Sequence, residues 1–372
     1  MNKTILASAS IFTAFMAAGG AFASNGVPNY DHIVLVVEEN HTYNQIIGNS
    51  SMPYLNSLAT GGALFTQSSG TEHPSQPNYL DLFSGSDQGV YGDYSTKGIA
   101  PLPADNLGAE LLHNGKTFVN YSEALPSTGS TVDFASNPNE ATPKYNDYAR
   151  KHNAAVDFQS NTTVNASNSA TSNLLPTSAN QTFDAFTNTQ FANLPNVSFV
   201  IPDQQNDGHG VGVKTGNALL AASDQFLQNN LGGYASWAKT HNSLLIVTYD
   251  ENDFSPGNNR IATVFYGADI IPGQYAENQF TTQVSTVDSY PAPEAPVFVS
   301  TPGISHYDVL RTIEQSQGTG FAGGSANANT ITDVFAPQAL PTPEPKSTAS
   351  LGVGFGLLGL VALFRRKALK KA

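Results

Sequence analysis

The chain has 372 residues, of which 40% are hydrophobic and 12% charged, and its formal net charge at pH 7 is −13. A hydrophobic fraction of this size can fill a core and excludes wholesale disorder, and the acidic balance argues against charge-driven binding of nucleic acid. Cysteine is absent, which excludes disulfides, zinc–thiolate sites, iron–sulfur clusters and cysteine nucleophiles. Metal or acid–base chemistry would therefore use the eight histidines with carboxylates, amides and hydroxyls.

Residues 1–23 have the parts of a secretory signal peptide. Lys3 precedes a run of apolar and small residues, and Ala21-Phe22-Ala23 forms an A-x-A cleavage site. The alternative is a buried N-terminal helix, but the small residues and the polar residues that follow favour export. We therefore expect an exported protein whose folded body begins at residue 24.

Along the body, short apolar runs alternate with helical stretches. The runs lie at 31–39, 116–121, 197–201, 243–249 and 261–266, and the clearest helices at 106–114 and 217–240. Runs that are apolar on both faces are typical of central strands in a buried, parallel sheet. The alternation predicts an α/β layered sandwich, with a mainly parallel central sheet and helices on both faces.

Two segments depart from this alternation. Residues 124–182 are rich in Ser, Thr, Asn and Pro, which predicts a long surface excursion. Residues 321–340 are small and polar, which predicts a linker. We therefore expect one folded domain over 24–320, followed by a linker over 321–348.

Acidic side chains follow three of the predicted strands. They are Glu38-Glu39-Asn40-His41 after the first strand, Asp203, Asp207 and His209 after the strand at 197–201, and Asp250-Glu251-Asn252-Asp253 after the strand at 243–249. If these strands are parallel neighbours, their polar ends converge beyond the carboxyl edge of the sheet, where ligands bind. Crowded carboxylates repel one another and need a cation, and oxygen ligands suit Mg²⁺, Ca²⁺ or Mn²⁺. A single polar strand end is ordinarily solvated, but acids at the same end of several strands favour a site.

A candidate nucleophile, Ser75, stands just before a Gln-Pro pair at a predicted helix start. On local grounds Ser75 is an ordinary helix N-cap with proline in the first turn. The same geometry turns backbone N–H groups toward an incoming anion, and a hydroxyl there attacks phosphate if a metal lowers its pKa. Thr71 is the rival hydroxyl, and His73 and Asn78 flank the site.

A further helix is predicted after His306. Val309, Leu310 and Ile313 have helical spacing. A histidine at the entry of this helix could ligate a metal or hold phosphate. The alternative is a surface residue, which is the commoner role of a lone histidine at a helix start.

The C-terminal residues have three parts in order: Pro343-Glu344-Pro345, an apolar Gly-rich run from Ser350 to Phe364, and a basic end from Arg365. As a helix, this run of about 15 residues would be roughly 22 Å long, short of a comfortable span of about 30 Å. The order resembles the PEP-CTERM sorting tail of Gram-negative bacteria, which implies removal by an exosortase-like enzyme. The alternative is an ordinary membrane anchor. Both place the body in the periplasm, at the cell surface or in the extracellular matrix, at least transiently anchored by 349–372.

The internal segments together resemble a bacterial phosphoesterase family that contains acid phosphatases, phosphatidylinositol-phosphate phosphatases and non-haemolytic phospholipases C. The matching stretches are VVEENHTYNQIIG (36–48), HPSQPNYLDLFSG (73–85), GKTFVNYSEALPS (115–127), VSFVIPDQQNDGH (197–209), WAKTHNSLLIVTYDEND (237–253) and HYDVLRTIE (306–314). The resemblance implies an alkaline-phosphatase-like fold and a metal-dependent hydrolase of phosphoric esters.

The resemblance also implies roles for individual residues. The predicted metal ligands are Glu39, Asn40, Asp250 and Glu251, the predicted catalytic residues are Ser75, His209 and His306, and the predicted substrate contacts are His73 and Asn78. Ser75 matches the family's nucleophilic Ser/Thr, which implies a phosphoserine intermediate. The cofactor would be a divalent ion, with Mg, Ca or Mn favoured and Zn as an alternative.

Three functions stay open at this level. The first is a phosphomonoesterase acting on a soluble phosphorylated small molecule, since an acidic body discourages approach to anionic bilayers and no amphipathic basic helix is evident. The second is a phospholipase C-type phosphodiesterase acting at a lipid headgroup. The third, favoured by the tail alone, is a non-catalytic surface or matrix-associated binding protein. Carboxylates gathered behind buried strands argue against the third, because their burial is costly without a bound ion.

Overall fold

The computed structural model describes residues 26–160, 172–255, 258–285 and 297–337. The predicted signal peptide and the predicted sorting tail lie outside the described residues. Among the helices of the described ranges, none has the length and apolar character needed to cross a membrane.

A nine-stranded mixed sheet forms the centre of the protein. The described residues form thirteen strands in all, nine of them in this sheet. They are His32–Glu38 (β1), Ala63–Ser69 (β2), Phe118–Ser122 (β3), Phe134–Ala135 (β4), Tyr148–Ala149 (β5), Asn180–Thr182 (β6), Val197–Ile201 (β7), Ser243–Tyr249 (β8), Arg260–Gly267 (β9), Gly273–Tyr275 (β10), Thr281–Ser285 (β11), Phe298–Pro302 (β12) and Ile304–Ser305 (β13). The large sheet has the order β10-β2-β9-β8-β1-β7-β3-β6, with β13 paired to β2. The pairs β4-β5 and β11-β12 form two small separate sheets.

The three strands that end in acids are parallel neighbours, as the sequence predicts. β1 lies between β7 and β8, and Ile33 stands opposite both Val197 and Leu244. Every residue of β7 and β8 is buried, which is typical of strands covered on both faces. The carboxyl ends of β1, β7 and β8 therefore meet at one edge of the sheet.

Helices cover both faces of this sheet. They are Tyr43–Ile46 (α1), Pro53–Gly61 (α2), Ser75–Ser84 (α3), Leu107–His113 (α4), Phe183–Thr187 (α5), Asn217–Phe226 (α6), Gly232–Ala238 (α7) and His306–Gln317 (α8). Alternate side chains of β1 enter different cores: Ile33 and Leu35 pack with α3, α4 and α8, whereas Val34 and Val36 pack with α2, α6 and α7. The predicted α/β sandwich is thus confirmed, and a π-helical turn joins α6 to α7 within the helix predicted at 217–240.

Helix α3 carries the candidate nucleophile into the interior. The helix begins at Ser75 itself, and Pro74, in the N-cap position, provides no side-chain cap. Ser75 is therefore not the ordinary N-cap that its local sequence suggests. All ten residues of α3 are buried, and the helix ends at Gly85 with a φ of 66°. A Cβ there would lie 2.1 Å from the carbonyl oxygen of Ala322, so this close approach requires glycine.

The segment 124–182 is not a surface excursion throughout. Two 3₁₀ turns, Arg150–His152 and Ala154–Phe158, are largely buried, and Arg150 forms a 2.6 Å ion pair with Asp157. Composition does not reveal this burial because polar side chains in the segment bond to one another. Residues 161–171 lie outside the described part of the chain.

The predicted linker also departs from expectation over its first part. Ile331, Val334 and Phe335 are buried in the core that contains α8, and Ala322 is also buried. These few apolar side chains suffice to anchor a stretch of otherwise small and polar composition. Residues 24–337 consequently form one unit of the chain, and 338–348 lie outside the described residues.

Replacing Phe83 by alanine should loosen the packing of α3. The Phe83 ring lies 5.2 Å from Phe118, 5.5 Å from Phe158 and 5.6 Å from Phe199, between centroids. We expect Phe83→Ala to lower the free energy of unfolding by about 3–5 kcal/mol, measured by urea denaturation. Tyr145 is 73% exposed, so Tyr145→Ala should change it by less than about 0.5 kcal/mol. Equal losses in the two variants would contradict this account of the core.

The buried Glu314 on α8 should make stability depend on pH. Its carboxylate accepts hydrogen bonds from the Ala322 N–H at 2.8 Å and the Ser325 hydroxyl at 2.5 Å. Burial nevertheless raises its pKa from 4.5 to about 7. Between the two pKa values the folded protein keeps a proton on Glu314 that the unfolded chain releases. Protonation of Glu314 therefore stabilises the folded state, and this contribution is fully present below the unfolded pKa and is lost as the pH rises through the folded pKa.

The variant Glu314→Gln tests this dependence, because glutamine is nearly isosteric and does not titrate. We expect its free energy of unfolding to decrease less than that of the wild type as the pH rises from about 4.5 to about 7. Asp184 is exposed, and Asp184→Asn should keep the wild-type slope. A wild-type slope in Glu314→Gln would show that Glu314 does not titrate in this range.

Candidate active site

Three buried carboxylates surround the hydroxyl of Ser75 at the carboxyl edge of the sheet. Ser75 Oγ lies 3.0 Å from Glu39 Oε2 and 3.1 Å from Glu251 Oε1. Asp250 Oδ1 accepts the backbone N–H of Asn40 at 3.0 Å. The three acids and Ser75 are at most 1% exposed. The structure therefore brings the two predicted pairs together around the predicted nucleophile.

Burial makes these carboxylates difficult to ionise. Desolvation raises the pKa of Glu39 to about 7. It also raises the pKa values of Asp250 and Glu251 well above the usual range, and repulsion from neighbouring carboxylates adds to the effect. Glu39 Oε1 and Asp250 Oδ2 have no hydrogen-bond partner among the described residues. Crowded and incompletely bonded carboxylates of this kind are stable as anions only if a cation offsets their charge.

Asn40 turns the chain at the end of β1. Its φ of 55° is in the left-handed region, which asparagine tolerates better than most residues. This turn places its N–H on Asp250 at 3.0 Å and its side-chain Nδ2 on Glu39 Oε2 at 2.9 Å. Asn40 thus links the two acidic strand ends directly.

His152 extends the cluster on the other side of Glu39. Its Nε2 lies 3.0 Å from Glu39 Oε1 and its Nδ1 lies 3.5 Å from Asp207 Oδ2. These approaches lack hydrogen-bond geometry, so Nε2 and the two facing oxygens are unpartnered among the described residues. One donor atom from each of Glu39, His152 and Asp207 lies within 4.8 Å of the other two.

The donors on this side of Glu39 also fit a divalent metal. Carboxylate oxygens and imidazole nitrogens are common ligands of such ions. Burial lowers the pKa of His152 well below its usual value, which keeps the imidazole neutral and able to ligate. Glu39 therefore has potential metal ligands on both sides, with Asp250, Glu251 and Ser75 on one and His152 and Asp207 on the other.

His152 and its neighbour Lys151 are site residues that the sequence analysis missed. Lys151 Nζ forms a 2.6 Å ion pair with Asp93 Oδ2. Burial lowers the pKa of Lys151, but the carboxylates of Asp93 and Glu39 outweigh this effect and raise it above the usual range. The available signal was Arg150-Lys151-His152, three consecutive basic residues in an acidic body.

Asp93 also caps the N-terminal end of α3 through its side chain. Its Oδ1 accepts the backbone N–H of Gln76 at 3.0 Å, and Gln76 directly follows Ser75. This N–H is one of the backbone groups at the helix start that were expected to face an incoming anion. Asp93 therefore supplies the cap that Pro74 does not provide.

His73 lies at the cluster, as predicted. Its Nδ1 contacts Glu251 Oε2, and its ring stacks on Phe254 with 4.3 Å between centroids. Burial lowers the pKa of His73 to about 4. His73 consequently faces a carboxylate that also contacts Ser75, and its role as a substrate contact stays a prediction.

Asn78 and Thr71 hold the loop before α3. Asn78 Oδ1 accepts the N–H groups of Thr71 and Glu72, both at 2.9 Å, and its Nδ2 donates to the Glu72 carbonyl at 2.9 Å. Thr71 Oγ1 donates to Asp81 Oδ2 at 2.6 Å. The structure thus gives Asn78 a loop-holding role, and its role as a substrate contact stays a prediction. The structure also favours Ser75 over Thr71, because only Ser75 of the two bonds to the acids at the strand ends.

The two predicted catalytic histidines differ in position. The exposed ring of His209 lies 5.8 Å from that of His152, between centroids. His306 is buried, and its Nε2 lies 2.6 Å from the backbone carbonyl oxygen of Asp250. His306 therefore supports the strand end that carries Asp250, whereas the exposed ring of His209 borders the cluster.

Known proteins resemble this chain over most of its length. The model of the Phosphoesterase family matches residues 48–319. The chain is 40% identical to the phosphatidylinositol-3-phosphatase of Mycobacterium tuberculosis, over 84% of this chain and 85% of that protein. It is 28% identical to an acid phosphatase of Aspergillus fumigatus, over 68% of this chain but only 52% of that protein. The chain thus spans about half the length of the fungal relative.

A solved structure also resembles this chain. It is a protein in the alkaline phosphatase superfamily from Vibrio parahaemolyticus, with a TM-score of 0.46, 13% identity, and coverage of 84% of this chain and 74% of that one. The family match spans most of the described body, and it includes Ser75, His152, Asp250 and Glu251. The chain belongs to the phosphoesterase family and is a hydrolase of phosphoric esters.

Proposed function

We propose that the protein is a metal-dependent phosphomonoesterase that forms a phosphoserine on Ser75. The observation that carries this proposal is the Ser75 hydroxyl, 3.0 Å from Glu39 and 3.1 Å from Glu251 in a buried acidic cluster. A serine that merely stabilised the fold would gain nothing from neighbours whose pKa values are raised by burial. This setting instead suits a hydroxyl that must lose its proton.

Glu39, Asn40, Asp250 and Glu251 would hold the metal, and their hard oxygen atoms suit Mg, Ca or Mn, with Zn as an alternative. When bound, a divalent ion lowers the pKa of a hydroxyl ligand and offsets charge on phosphoryl oxygens. Glu39 Oε1 and Asp250 Oδ2 accept no hydrogen bond from the described residues. Both oxygens are therefore available to bind a metal, which supports this assignment.

The reaction would proceed in two steps. Ser75 Oγ attacks phosphorus and the ester oxygen leaves, which produces the phosphoserine. Water then cleaves the phosphoserine and releases phosphate. The Ser75 proton has an acceptor 3.0 Å away in Glu39. His209 is the better-placed donor of a proton to the leaving group, because His306 is engaged with the Asp250 carbonyl.

A monoester substrate is favoured over a diester. The relatives described above are a phosphatidylinositol-3-phosphatase and an acid phosphatase, and both names denote removal of phosphate from a monoester. The substrate would be a phosphorylated small molecule or a phosphorylated lipid headgroup. Faster turnover of a choline phosphodiester than of a monoester would instead favour phospholipase C-type chemistry.

We also propose that the protein is exported. Export is supported by the features of residues 1–23 and 349–372, and processing by an exosortase-like enzyme stays a prediction from the tail. The alternative of a non-catalytic matrix protein gives no reason for a serine hydroxyl held among buried acids.

Replacing Ser75 by alanine should abolish turnover. We expect Ser75→Ala to reduce kcat on an aryl phosphate by about a thousandfold or more, because no other described hydroxyl bonds to both Glu39 and Glu251. Ser84 is a matched control, since it is buried on the same helix and its hydroxyl donates to the Leu80 carbonyl. Ser84→Ala should keep kcat near the wild-type value. Full activity of Ser75→Ala would point to Thr71.

Replacing Asp250 should weaken metal binding. We expect Asp250→Ala to bind the ion more than about a hundredfold more weakly while its circular dichroism spectrum is retained. The measurement is calorimetric titration of chelator-treated protein with Mg²⁺, Ca²⁺, Mn²⁺ and Zn²⁺. Asp184→Ala removes an exposed carboxylate and should leave the affinity unchanged. Failure of the wild type to bind any of the four ions would rule out a metal-dependent mechanism.

A further inference from the structure

The buried acids of the site present a negative charge to any phosphate ester that enters it. When ionised, Glu39, Asp207, Asp250 and Glu251 carry four negative charges, and one divalent ion offsets two of them. A phosphomonoester adds a charge of about −1.5 to −2 at pH 7. A protein cation beside Ser75 is therefore expected to stabilise the bound phosphoryl group.

The helix start alone does not provide this positive charge. Gln76 directly follows Ser75, and it donates its N–H to Asp93 Oδ1 at 3.0 Å. The other oxygen of the same carboxylate, Asp93 Oδ2, accepts the ammonium of Lys151 at 2.6 Å. The carboxylate thus takes the backbone donor that would have faced an anion, and it holds a lysine close to the start of α3.

A second set of contacts also connects Lys151 to Ser75. Lys151 is the middle residue of the 3₁₀ turn Arg150–His152, in which successive side chains point about 120° apart. The next residue of the turn, His152, has its Nε2 3.0 Å from Glu39 Oε1. Glu39 Oε2 in turn lies 3.0 Å from Ser75 Oγ. Lys151 is therefore linked to the nucleophile both through the start of α3 and through the acid at the end of β1.

The charge of Lys151 acts on the titratable groups of the site. Burial raises the pKa of Glu39, and Lys151 is the largest of the influences that lower it. Burial lowers the pKa of His209, and Lys151 lowers it further. The Lys151 side chain is 18% exposed, so solvent screens its charge only in part.

The ammonium of Lys151 has donors that the protein leaves available. An ammonium carries three N–H donors, and Asp93 is the one hydrogen-bond acceptor of Lys151 among the described residues. A phosphoryl oxygen can accept one of the other donors in a charge-assisted hydrogen bond. A doubly charged monoester gains more from this contact than a diester, which carries a single charge.

We propose that Lys151 binds the phosphoryl group at Ser75 and is the residue that favours a doubly charged monoester over a singly charged diester. The inference rests on the proposed function. Asp93 holds the ammonium in place, but its own charge weakens the attraction of Lys151 for the substrate. The two members of this ion pair therefore have opposite effects on the choice of substrate.

The first test compares two esters with the same leaving group, 4-nitrophenyl phosphate and methyl 4-nitrophenyl phosphate. We expect Lys151→Met to lower kcat/KM by about ten- to a hundredfold for the monoester but by about threefold at most for the diester. Lys97 is a matched control, because it pairs with Asp133 at 3.0 Å and is 46% exposed. Lys97→Met should leave the ratio of the two values unchanged. Equal losses on both esters, as expected if the Asp93–Lys151 pair is structural, would overturn the role of Lys151.

The second test uses the other member of the ion pair. Asp93→Asn keeps an oxygen that can accept the Gln76 N–H, but it removes the charge paired with Lys151. We expect this variant to raise the monoester-to-diester ratio of kcat/KM by about two- to fivefold, opposite to Lys151→Met. The double variant Asp93→Asn/Lys151→Met leaves no unpaired charge and should show a lowered ratio, so it replaces Lys151→Met if that variant does not fold. A lowered ratio in Asp93→Asn alone would contradict the proposal.

The third test separates this role from the catalytic proposal. Calorimetry measures binding of inorganic phosphate to Ser75→Ala with and without Lys151→Met, with the same divalent ion present, and we expect the double variant to bind about tenfold more weakly or worse. Such a loss, in a protein whose wild type hydrolyses neither ester, would support the role of Lys151 and end the proposed function. Hydrolysis of the monoester with a ratio that Lys151→Met does not change would end the role of Lys151 alone.

Discussion

Parallel pairing of β1 with β7 and β8 is the constraint on which the site depends. Because the three strands run in one direction, the acids that follow them, Glu39, Asp207 and Asp250, leave the sheet at the same edge. The covering helices then exclude water, and desolvation raises the pKa of all three. The fold thus gathers carboxylates in a region without water, where negative charge is least favourable. A bound cation is the simplest means of keeping these groups ionised.

Helix α3 connects this charge to the core. Its first residue, Ser75, contacts Glu39 and Glu251, while Phe83 near its other end packs among aromatic rings from β3 and β7. The helix start is capped by Asp93, which lies 17 residues after Gln76. The Ser75 hydroxyl is therefore not needed as a cap and bonds to Glu39 and Glu251. The position of the hydroxyl is consequently set by the packing of a whole helix.

Two parts of the chain contribute different groups to the site. The strand ends and α3 supply the acids and the hydroxyl, which suit the chemistry common to phosphoric esters. The segment that contains Lys151 and His152 supplies an imidazole 3.0 Å from Glu39 and an ammonium group paired with Asp93.

By itself, the sequence determined the architecture and the centre of the site. The strands at 197–201 and 243–249 are found with those bounds, because residues apolar on both faces have one stable place, inside a covered sheet. The acids that end such strands follow from the same pattern. Ser75 was identifiable because its neighbours fit both a helix start and the family resemblance.

Only the tertiary structure decided which distant polar groups meet. It brought His152 against Glu39, engaged Asn78 and Thr71 in the loop before α3, and set His306 on the Asp250 carbonyl. It also packed Ile331 and Phe335 into the core where a linker was expected. Local composition indicates whether a segment can be buried on its own. A polar segment is buried when remote partners satisfy its hydrogen bonds and charges, and those partners are chosen by the packing of the whole chain.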